Sequence, residues 1–278
     1  MKIRISTLSD NIARRGDFLG EWGLSILVEA GDTSILLDSG KGISASYNAD
    51  TMGIDLGKID KIVLSHGHYD HTGGLPHILR KMRKGVEILA HPDIWATKYS
   101  RHQDEPERYI GIPFQRYELE SLGVRFNLTS KPVRITDEIT TTGEITMVTD
   151  FEEIDNALFV RKETGWQQDE LMDDQALIIS TRRGLTVVLG CAHRGIINTL
   201  YHARQLTGVE TVHTVVGGAH LMNASEERLY KTIAALRDLG VQQLGLCHCT
   251  DLSAISLMAQ EFKKQFFFNK AGVSIEYS

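Results

Sequence analysis

The sequence predicts an α/β protein, an αβ/βα sandwich of four layers in which two mixed β-sheets lie face to face with helices on their outer faces. Short apolar, β-branched runs alternate with helical segments up to residue 90, and the same alternation resumes after Asp174. The length of 278 residues is ample for one large core. We therefore expect a single domain over residues 1–278.

The first half contains five predicted strands and one helix. Residues 2–6 alternate polar and apolar side chains, as a half-buried strand does. Residues 61–65 form a branched apolar run that leads into polar and glycine residues, which is typical of the carboxyl end of a buried strand. The helix ends in a basic run, where cations complement the helix dipole. The predicted strands are 2–7, 24–29, 33–38, 61–65 and 86–90, and the helix is 75–84.

The middle of the chain, from residue 92 to about 142, lacks a clear strand or helix period. Long segments without regular structure are uncommon in compact domains and are often functional. We expect an irregular segment here that serves either as a lid over a site or as a plain surface excursion.

The second half repeats the alternation of strands and helices after Asp174. Runs rich in Val, Ile and Leu are followed by helical segments, as in units whose helices cover a sheet. The predicted strands are 176–181, 185–190, 212–216 and 242–246, and the predicted helices lie near 195–206, 225–238 and 252–264.

Three histidines and an aspartate occur within six residues directly after the strand at 61–65. His66 and His68 share a face if the extended backbone persists, because side chains two apart point the same way. Gly67 lets the chain bend closely around an ion. Asp70 and His71 then lie where the chain turns and are aimed at a second position. The pattern favours two divalent metal ions, with Zn²⁺ expected and iron or manganese also compatible with these ligands.

Two distant histidines also stand at predicted strand ends. His193 follows the strand at 185–190, and His248 follows the strand at 242–246. His220 follows two glycines, so it could bind substrate or transfer a proton, or could equally be a hydrogen-bonded structural residue. The remaining histidines have no such company and are expected to be structural or surface residues: His77, His91, His102, His202 and His213.

These segments together resemble the metallo-β-lactamase superfamily, whose signature is His-x-His-x-Asp-His. In combination they are similar to its dihydropterin-related branch, which includes ribofuranosylaminobenzene phosphate synthase-like proteins. The resemblance covers about residues 1 to 277 and implies the four-layer sandwich. The segments that carry it are 23–29, 35–40, 66–71, 173–177, 190–196, 217–221 and 247–250.

The resemblance implies a division of the ligands between two ions. The first ion would take His66, His68 and His193, and the second would take Asp70, His71 and His248. Asp38 would lie one layer out, accepting hydrogen bonds that orient the ligand loop.

Cys191 departs from the family pattern, since many members carry an aspartate in that neighbourhood. Its thiolate could coordinate a metal, or the side chain could be a small buried apolar residue. Arg194, beside His193, could contact an anionic group or fix the helix that follows it.

Three reaction classes follow from the sequence, of which hydrolysis is the expected one and the other two are alternatives to it. The first is hydrolysis of a small phosphoester or pterin-related metabolite by metal-activated water, with Asp70 or His220 protonating the leaving group. The second is the C–N bond formation implied by the dihydropterin-related branch. The third is an iron-dependent redox or ligand-binding protein.

Composition limits the partners and the location. The net charge of −6 gives no general field for a polyanion, so we expect a small anionic substrate and no nucleic acid. No apolar run has the length of a membrane span, and residues 2–6 open as a strand without a signal-peptide core. With three cysteines expected to be reduced, we predict a cytoplasmic protein, which could form a homo-oligomer.

Overall fold

The computed structural model describes residues 2–103 and 105–278. In these residues, helices are interspersed among runs of strands along the chain. The strands are β1 (Ile3–Ser9), β2 (Ser25–Ala30), β3 (Thr33–Leu37), β4 (Lys61–Val63), β5 (Val86–Ala90), β6 (Lys98–Ser100), β7 (Arg108–Tyr109), β8 (Val124–Leu128), β9 (Ile139–Thr141), β10 (Leu158–Lys162), β11 (Gly165–Gln168), β12 (Leu177–Thr181), β13 (Gly184–Leu189), β14 (Val212–Gly218), β15 (Gln243–Cys247) and β16 (Ser274–Tyr277). The helices are α1 (Ser44–Thr51), α2 (Tyr69–Thr72), α3 (Leu75–Met82), α4 (Arg116–Glu120), α5 (Ile196–Thr207), α6 (Glu226–Asp238) and α7 (Leu252–Phe262).

Two large mixed sheets form the centre of the molecule. The first sheet has seven strands in the order β16-β1-β2-β3-β4-β5-β8, and the second has five in the order β15-β14-β13-β12-β9. Both contain parallel and antiparallel neighbours: β2 pairs antiparallel with β3, whereas β13, β14 and β15 are parallel. The prediction of two mixed sheets is confirmed.

The core lies in three layers of apolar side chains, and alternate residues of each strand belong to different layers. Between the sheets, Val28 and Ile35 of the first pack in one cluster with Leu177 and Val188 of the second. A second cluster joins the outer face of the first sheet to α1 and α3. A third joins the outer face of the second sheet to α5, α6 and α7. The order helix, sheet, sheet, helix is the predicted αβ/βα sandwich.

Helix α3 shows how the local sequence sets an element. Leu75, Ile78, Leu79 and Met82 recur at helical spacing and are all buried against the first sheet. The helix ends where Arg83 adopts a left-handed conformation with φ of 53°, slightly before the predicted end at residue 84.

The middle segment has more regular structure than the prediction of an irregular 92–142 allows. Strand β8 pairs in parallel with β5 at the edge of the first sheet, and β9 pairs with β12 at the edge of the second. Strands β6 and β7 join β10 and β11 in a small third sheet, of order β11-β10-β6-β7. The prediction was wrong over these stretches. Strands β6, β7 and β9 have only two or three residues and are too short to show a period. Strand β8 has five residues that alternate apolar and polar, a strand pattern that the sequence prediction missed.

No helix in the part of the chain that the structure describes is long and apolar enough to cross a bilayer.

Candidate metal centre

The segment that carries the clustered histidines, residues 64–71, is called the histidine loop. It leaves the first sheet at the carboxyl end of β4 and runs directly into α2. Its backbone is still extended at His68, which precedes the first residue of the helix. Gly67 packs so closely under another loop that a Cβ there would lie 2.3 Å from the Ile94 carbonyl oxygen. Glycine is therefore required between the two histidines for this close approach.

His66, His68 and His193 form the first donor triplet, with their ligand atoms within 4.8 Å of one another. The His66 Nε2 lies 2.9 Å from His68 Nδ1 and 3.2 Å from His193 Nε2. All three rings are buried, and this burial lowers their pKa values well below the ordinary histidine value. Neutral imidazoles keep a lone pair free, so the triplet fits a metal ion.

Asp70, His71 and His248 form the second donor triplet, and their ligand atoms also lie within 4.8 Å of one another. The His248 Nε2 lies 3.2 Å from His71 Nε2 and 3.5 Å from Asp70 Oδ2. Burial opposes ionisation of Asp70, but hydrogen bonding to His248 and the charge of His71 outweigh it and lower the pKa of the carboxyl. The carboxylate and two imidazoles form a donor set that suits a divalent ion.

Cys191 lies beside the second triplet, with its Sγ 3.0 Å from His71 Nε2. Its Sγ lies within 4.8 Å of ring nitrogens of His66 and His71, and also of ring nitrogens of His193 and His220. Its thiol is buried, and burial raises its pKa. The ligand atoms of Cys249, Cys191 and His248 also lie within 4.8 Å of one another. The sequence analysis did not predict Cys249 as a possible ligand, although it directly follows His248.

Asp38, expected one layer out from the ions, contacts His71 of the second triplet directly and reaches His66 of the first through Ser65. Its Oδ1 accepts from the backbone N–H of Ser65 at 2.7 Å, and its Oδ2 accepts from Ser65 Oγ at 2.6 Å. The same Oδ2 lies 2.6 Å from His71 Nδ1, and Ser65 Oγ lies 2.9 Å from His66 Nδ1. These contacts orient two rings so that their Nε2 atoms face the centre.

The contact with Asp38 also affects the charge of His71. Burial disfavours the charged ring, but Asp38 outweighs this and raises the pKa of His71 to about 9. A metal ion at His71 Nε2 would therefore have to replace a proton, which makes metal binding dependent on pH.

His248 is held from the opposite side by residues that the sequence analysis did not single out. Asn11 Oδ1 lies 2.9 Å from His248 Nδ1, and Asp10 Oδ1 accepts from the His248 backbone N–H at 2.9 Å. Because Asn11 lies 237 positions from His248, no local pattern could have revealed the pair.

His220 lies against the first triplet, with its ring centroid 4.1 Å from that of His193. Among the described residues, neither ring nitrogen has a hydrogen-bond partner, and the nearest carboxylate is Asp155, with 3.9 Å between His220 Nε2 and Asp155 Oδ2. Burial opposes the charged form, but Asp155 and Cys249 outweigh it and raise the pKa of His220 to about 9. An unpaired imidazole at this position is available to a ligand.

Arg194 does not face the site. Its Nε donates to the Ile145 carbonyl at 2.7 Å, and its Nη1 donates to the Glu170 carbonyl. The predicted contact with an anionic group is therefore corrected, because the guanidinium is engaged with backbone oxygens of neighbouring loops. The alternative, that Arg194 fixes the helix after it, stays a prediction; its backbone carbonyl accepts from Asn198 Nδ2 of α5 at 2.8 Å.

A cavity of about 170 Å³ opens above both triplets. Ser100, Arg108 and Ile110, from the segment expected as a possible lid, line it together with His102, which was expected to be structural or on the surface. His102 lines the cavity because the small third sheet brings its segment over the site, a tertiary placement that a lone histidine in a loop does not signal.

The chain resembles proteins of known family over its whole length. A family model described as the metallo-β-lactamase superfamily matches residues 23–157. A 7,8-dihydropterin-6-methyl-4-(β-D-ribofuranosyl)-aminobenzene-5′-phosphate synthase of Methanocaldococcus jannaschii is 33% identical, over 99% of this chain and 97% of its own.

Solved structures agree with this relationship. The crystal structure of a metal-dependent hydrolase of the β-lactamase superfamily is 30% identical, covers 99% of both chains and has a TM-score of 0.85. A diphosphatase of the PhnP family, 13% identical with a TM-score of 0.57 over 100% of this chain and 98% of its own, shares the fold. With two donor triplets at the carboxyl ends of its strands and relatives at this identity over nearly its full length, the chain belongs to the metallo-β-lactamase superfamily.

Proposed function

We propose that this protein is a metal-dependent enzyme that joins a dihydropterin-type methylene group to an aromatic amine. The support is the 33% identity, over nearly the full length of both chains, to a synthase whose name describes such a product. The observation in the molecule itself that carries the proposal is the pair of adjacent donor triplets beneath one small cavity. We further propose two divalent ions, with Zn²⁺ preferred for a histidine-rich donor set.

In the proposed reaction the amine nitrogen attacks a methylene carbon that carries a phosphate or diphosphate. The new C–N bond forms, the C–O bond to the leaving group breaks, and the amine loses one proton. Bound divalent cations supply charge neutralisation for such a leaving group. Arg108 and His102, at the wall of the cavity, provide further positive or hydrogen-bonding groups for an anionic substrate.

His220 is the group that we propose for proton transfer. It lines the cavity, its ring nitrogens have no partner among the described residues, and Asp155 lies on its outer side. General acid or base catalysis requires a positioned group within reach of the substrate. The proposal is supported by the place of His220 in the cavity wall.

Hydrolysis is the second candidate, favoured by the 30% identical structure described as a metal-dependent hydrolase. The same two triplets would then hold cations that acidify water toward neutral pH, and no side-chain nucleophile would be needed. An iron-dependent redox or ligand-binding role is the third candidate, compatible with imidazole and carboxylate donors.

The experiment that separates these candidates follows product release with each substrate alone and with both together. The metal-loaded protein is given a dihydropterin methyl diphosphate, an aromatic amine ribose phosphate, or both. Release of diphosphate only with both partners supports condensation. Release from one phosphoester in water alone contradicts it and supports hydrolysis, and metal-loaded protein inert in every mixture would contradict both.

The remaining expectations stay predictions. We propose a small anionic substrate, no nucleic-acid partner and a cytoplasmic location, on the net charge of −6 and the sequence arguments above. A homo-oligomer remains compatible with the sequence.

A further inference from the structure

A second cavity, of about 380 Å³, adjoins the metal centre on the outer side of His248. Its walls come from three separate parts of the chain: the connection between β1 and β2, residues 246–255 from the end of β15 into α7, and residues 268–270. Trp22 and His248 line both this cavity and the cavity above the triplets. Its volume falls within the range of about 300–1,000 Å³ typical of small-molecule sites.

Three large apolar side chains are exposed at this cavity. Trp22 is 41% exposed, Leu252 61% and Phe268 54%, although they lie far apart in the sequence. Single exposed apolar residues need no explanation, but a cluster of them around a concavity marks a surface that a ligand covers. Ile255, which is 7% exposed, adds a further apolar contact in the same wall.

The polar side chains in the wall are already hydrogen-bonded within the protein. Both carboxylate oxygens of Asp10 accept from backbone N–H groups, those of His248 and Ile12. Asn11 is bonded to Gly23 and His248.

Asn269, the remaining amide in the wall, is engaged in the same way. Its Oδ1 accepts from Thr7 Oγ1 at 2.7 Å, and its Nδ2 lies 3.4 Å from Cys247 Sγ. The amides and the buried carboxyl therefore hold the protein together, and the attraction for a ligand must come mainly from the apolar and aromatic surfaces.

Charged groups of both signs line this cavity. Lys270 lies over the ring of Phe268, with its Nζ 5.5 Å from the centroid, and the carboxyl groups are those of Asp251 and of Asp10, which is hydrogen-bonded to backbone N–H groups. The Trp22 ring is tilted by 58° to the His248 ring at a centroid distance of 5.4 Å. The exposed aromatic side chains Trp22 and Phe268 suit a flat, uncharged ring system.

We propose that this cavity binds the planar aromatic or heteroaromatic ring of the small-molecule substrate. The ring packs against Trp22 and Phe268, and its reacting substituent passes Trp22 to reach the triplets. The inference rests on the proposed function only in placing the reaction at those triplets. Trp22 and His248 line both cavities, so the two cavities adjoin at these two side chains.

The test uses 2-naphthol as a planar probe and 2-decalol as a saturated probe of similar size with the same hydroxyl group. Binding to the metal-loaded full chain is measured by calorimetry. We expect 2-naphthol to bind at least about tenfold more tightly than 2-decalol, because only the planar ring can stack. Equal binding of the two probes would overturn the proposal of a ring site.

Substitutions in the cavity wall test whether 2-naphthol binds at this cavity. Leu252→Ser and Phe268→Ser remove exposed side chains from the wall, and each is expected to weaken 2-naphthol binding about tenfold. Leu206→Ser is the matched control, because Leu206 is a 38% exposed helical leucine that does not line the cavity. Unchanged binding in both wall variants would overturn the proposal, as would an equal loss in Leu206→Ser.

This binding test is independent of turnover. If no condensation or hydrolysis is found but the two wall variants weaken 2-naphthol binding, the ring site stands and the proposed reaction fails. Removing metal with a chelator should leave 2-naphthol binding within about twofold, since the apolar walls do not depend on an ion. Complete loss of binding on chelation, with the fold retained by circular dichroism, would place the probe on the metal and overturn the proposed location.

Discussion

The residues of the metal centre differ in how readily they can be predicted from the sequence. The cluster from His66 to His71 is visible because four potential ligands fall within six positions. His193 and His248 are visible because each follows a strand. Asn11 and Trp22 are not visible, because their importance comes only from contacts made across the fold with His248.

The clearest test of the first triplet is His68→Ala. His68 Nδ1 points toward His66 Nε2, so we expect loss of metal from this position and of activity, with the fold retained. Metal per chain is measured by elemental analysis, and the fold by circular dichroism. The matched control is His77→Ala, an exposed histidine of α3 that should keep full occupancy. An active, fully metallated His68→Ala protein would refute the assignment.

His220→Ala separates catalysis from metal binding. We expect full metal occupancy but turnover slower by about 10²–10⁴-fold, the usual contribution of a general acid or base. The measurement is kcat together with metal content, after activity has been found. Unchanged turnover would make His220 a structural residue, and loss of metal would show that it helps to form the first position.

Asp174 should give stability a pH dependence in protein stripped of metal by a chelator. Burial raises the pKa of Asp174 from 3.8 to about 7, since only its Oδ2 has a partner, the backbone N–H of Arg194. The folded state therefore holds this proton more tightly than the unfolded chain. Its stabilising effect is complete below about pH 4 and is lost as pH rises toward 7, by on the order of 4 kcal/mol.

The matched variant for this prediction is Asp174→Asn, which keeps an acceptor for the Arg194 N–H but does not ionise. Urea unfolding between about pH 4 and pH 7 should show a stability loss in the natural protein that the variant lacks. Parallel curves for the two proteins would show that Asp174 does not titrate in this range.

Among the elements, β6 is the one whose role the sequence concealed most completely. It is three residues long, yet its Lys98 is almost fully buried and bonds to Asp169 at 2.7 Å and Asp173 at 2.9 Å. Asp173 Oδ2 in turn accepts from the Gly67 N–H at 2.8 Å, within the histidine loop. The small third sheet is thereby tied to the metal centre.

Lys98→Met tests this connection. Removing one partner of a buried ion pair leaves an uncompensated charge, so we expect a loss of about 3–5 kcal/mol in the free energy of unfolding. Lys81→Met is the control, because its ion pair with Asp50 is exposed and should contribute less than about 1 kcal/mol. Denaturant titration measures both, and similar losses in the two variants would contradict a special role for the buried lysine.

Other elements escaped prediction for physical reasons of their own. Helix α1 buries mainly Ala45, Ala49 and short polar side chains, so it lacks the stripe of large apolar residues that marks a helix. Strand β16 has only partly buried or exposed residues and gains its place by pairing with β1. The long strands and helices were predicted because burial on one or both faces leaves a period in the sequence.

At the scale of the whole molecule, each donor triplet takes residues from segments that follow strands of both large sheets. His66 and His193 are 127 positions apart, and His71 and His248 are 177 apart. Sequence reasoning could name these residues but could not derive their distances, which depend on how the sheets face each other.

Metal removal should therefore lower the stability of the whole molecule. A ligand that binds only the folded state stabilises it by about 2.7 kcal/mol at 100 times its Kd. We expect chelation to lower Tm, and restored Zn²⁺ to return it. In His68→Ala the shift should be smaller, because one triplet is incomplete. A Tm indifferent to chelator, in protein shown by elemental analysis to have carried metal, would contradict this prediction.

Because the ligands are divided between two halves of the chain, neither half alone contains all the ligands of a triplet. A fragment ending before β12 would carry the histidine loop without His193 and His248, and the complementary fragment would carry those two histidines without the loop. Neither would hold an ion with a complete triplet. If the chain were expressed as two such pieces, we expect their reassociation to be strengthened by metal, which would make the pair a split reporter of the ion that the triplets bind.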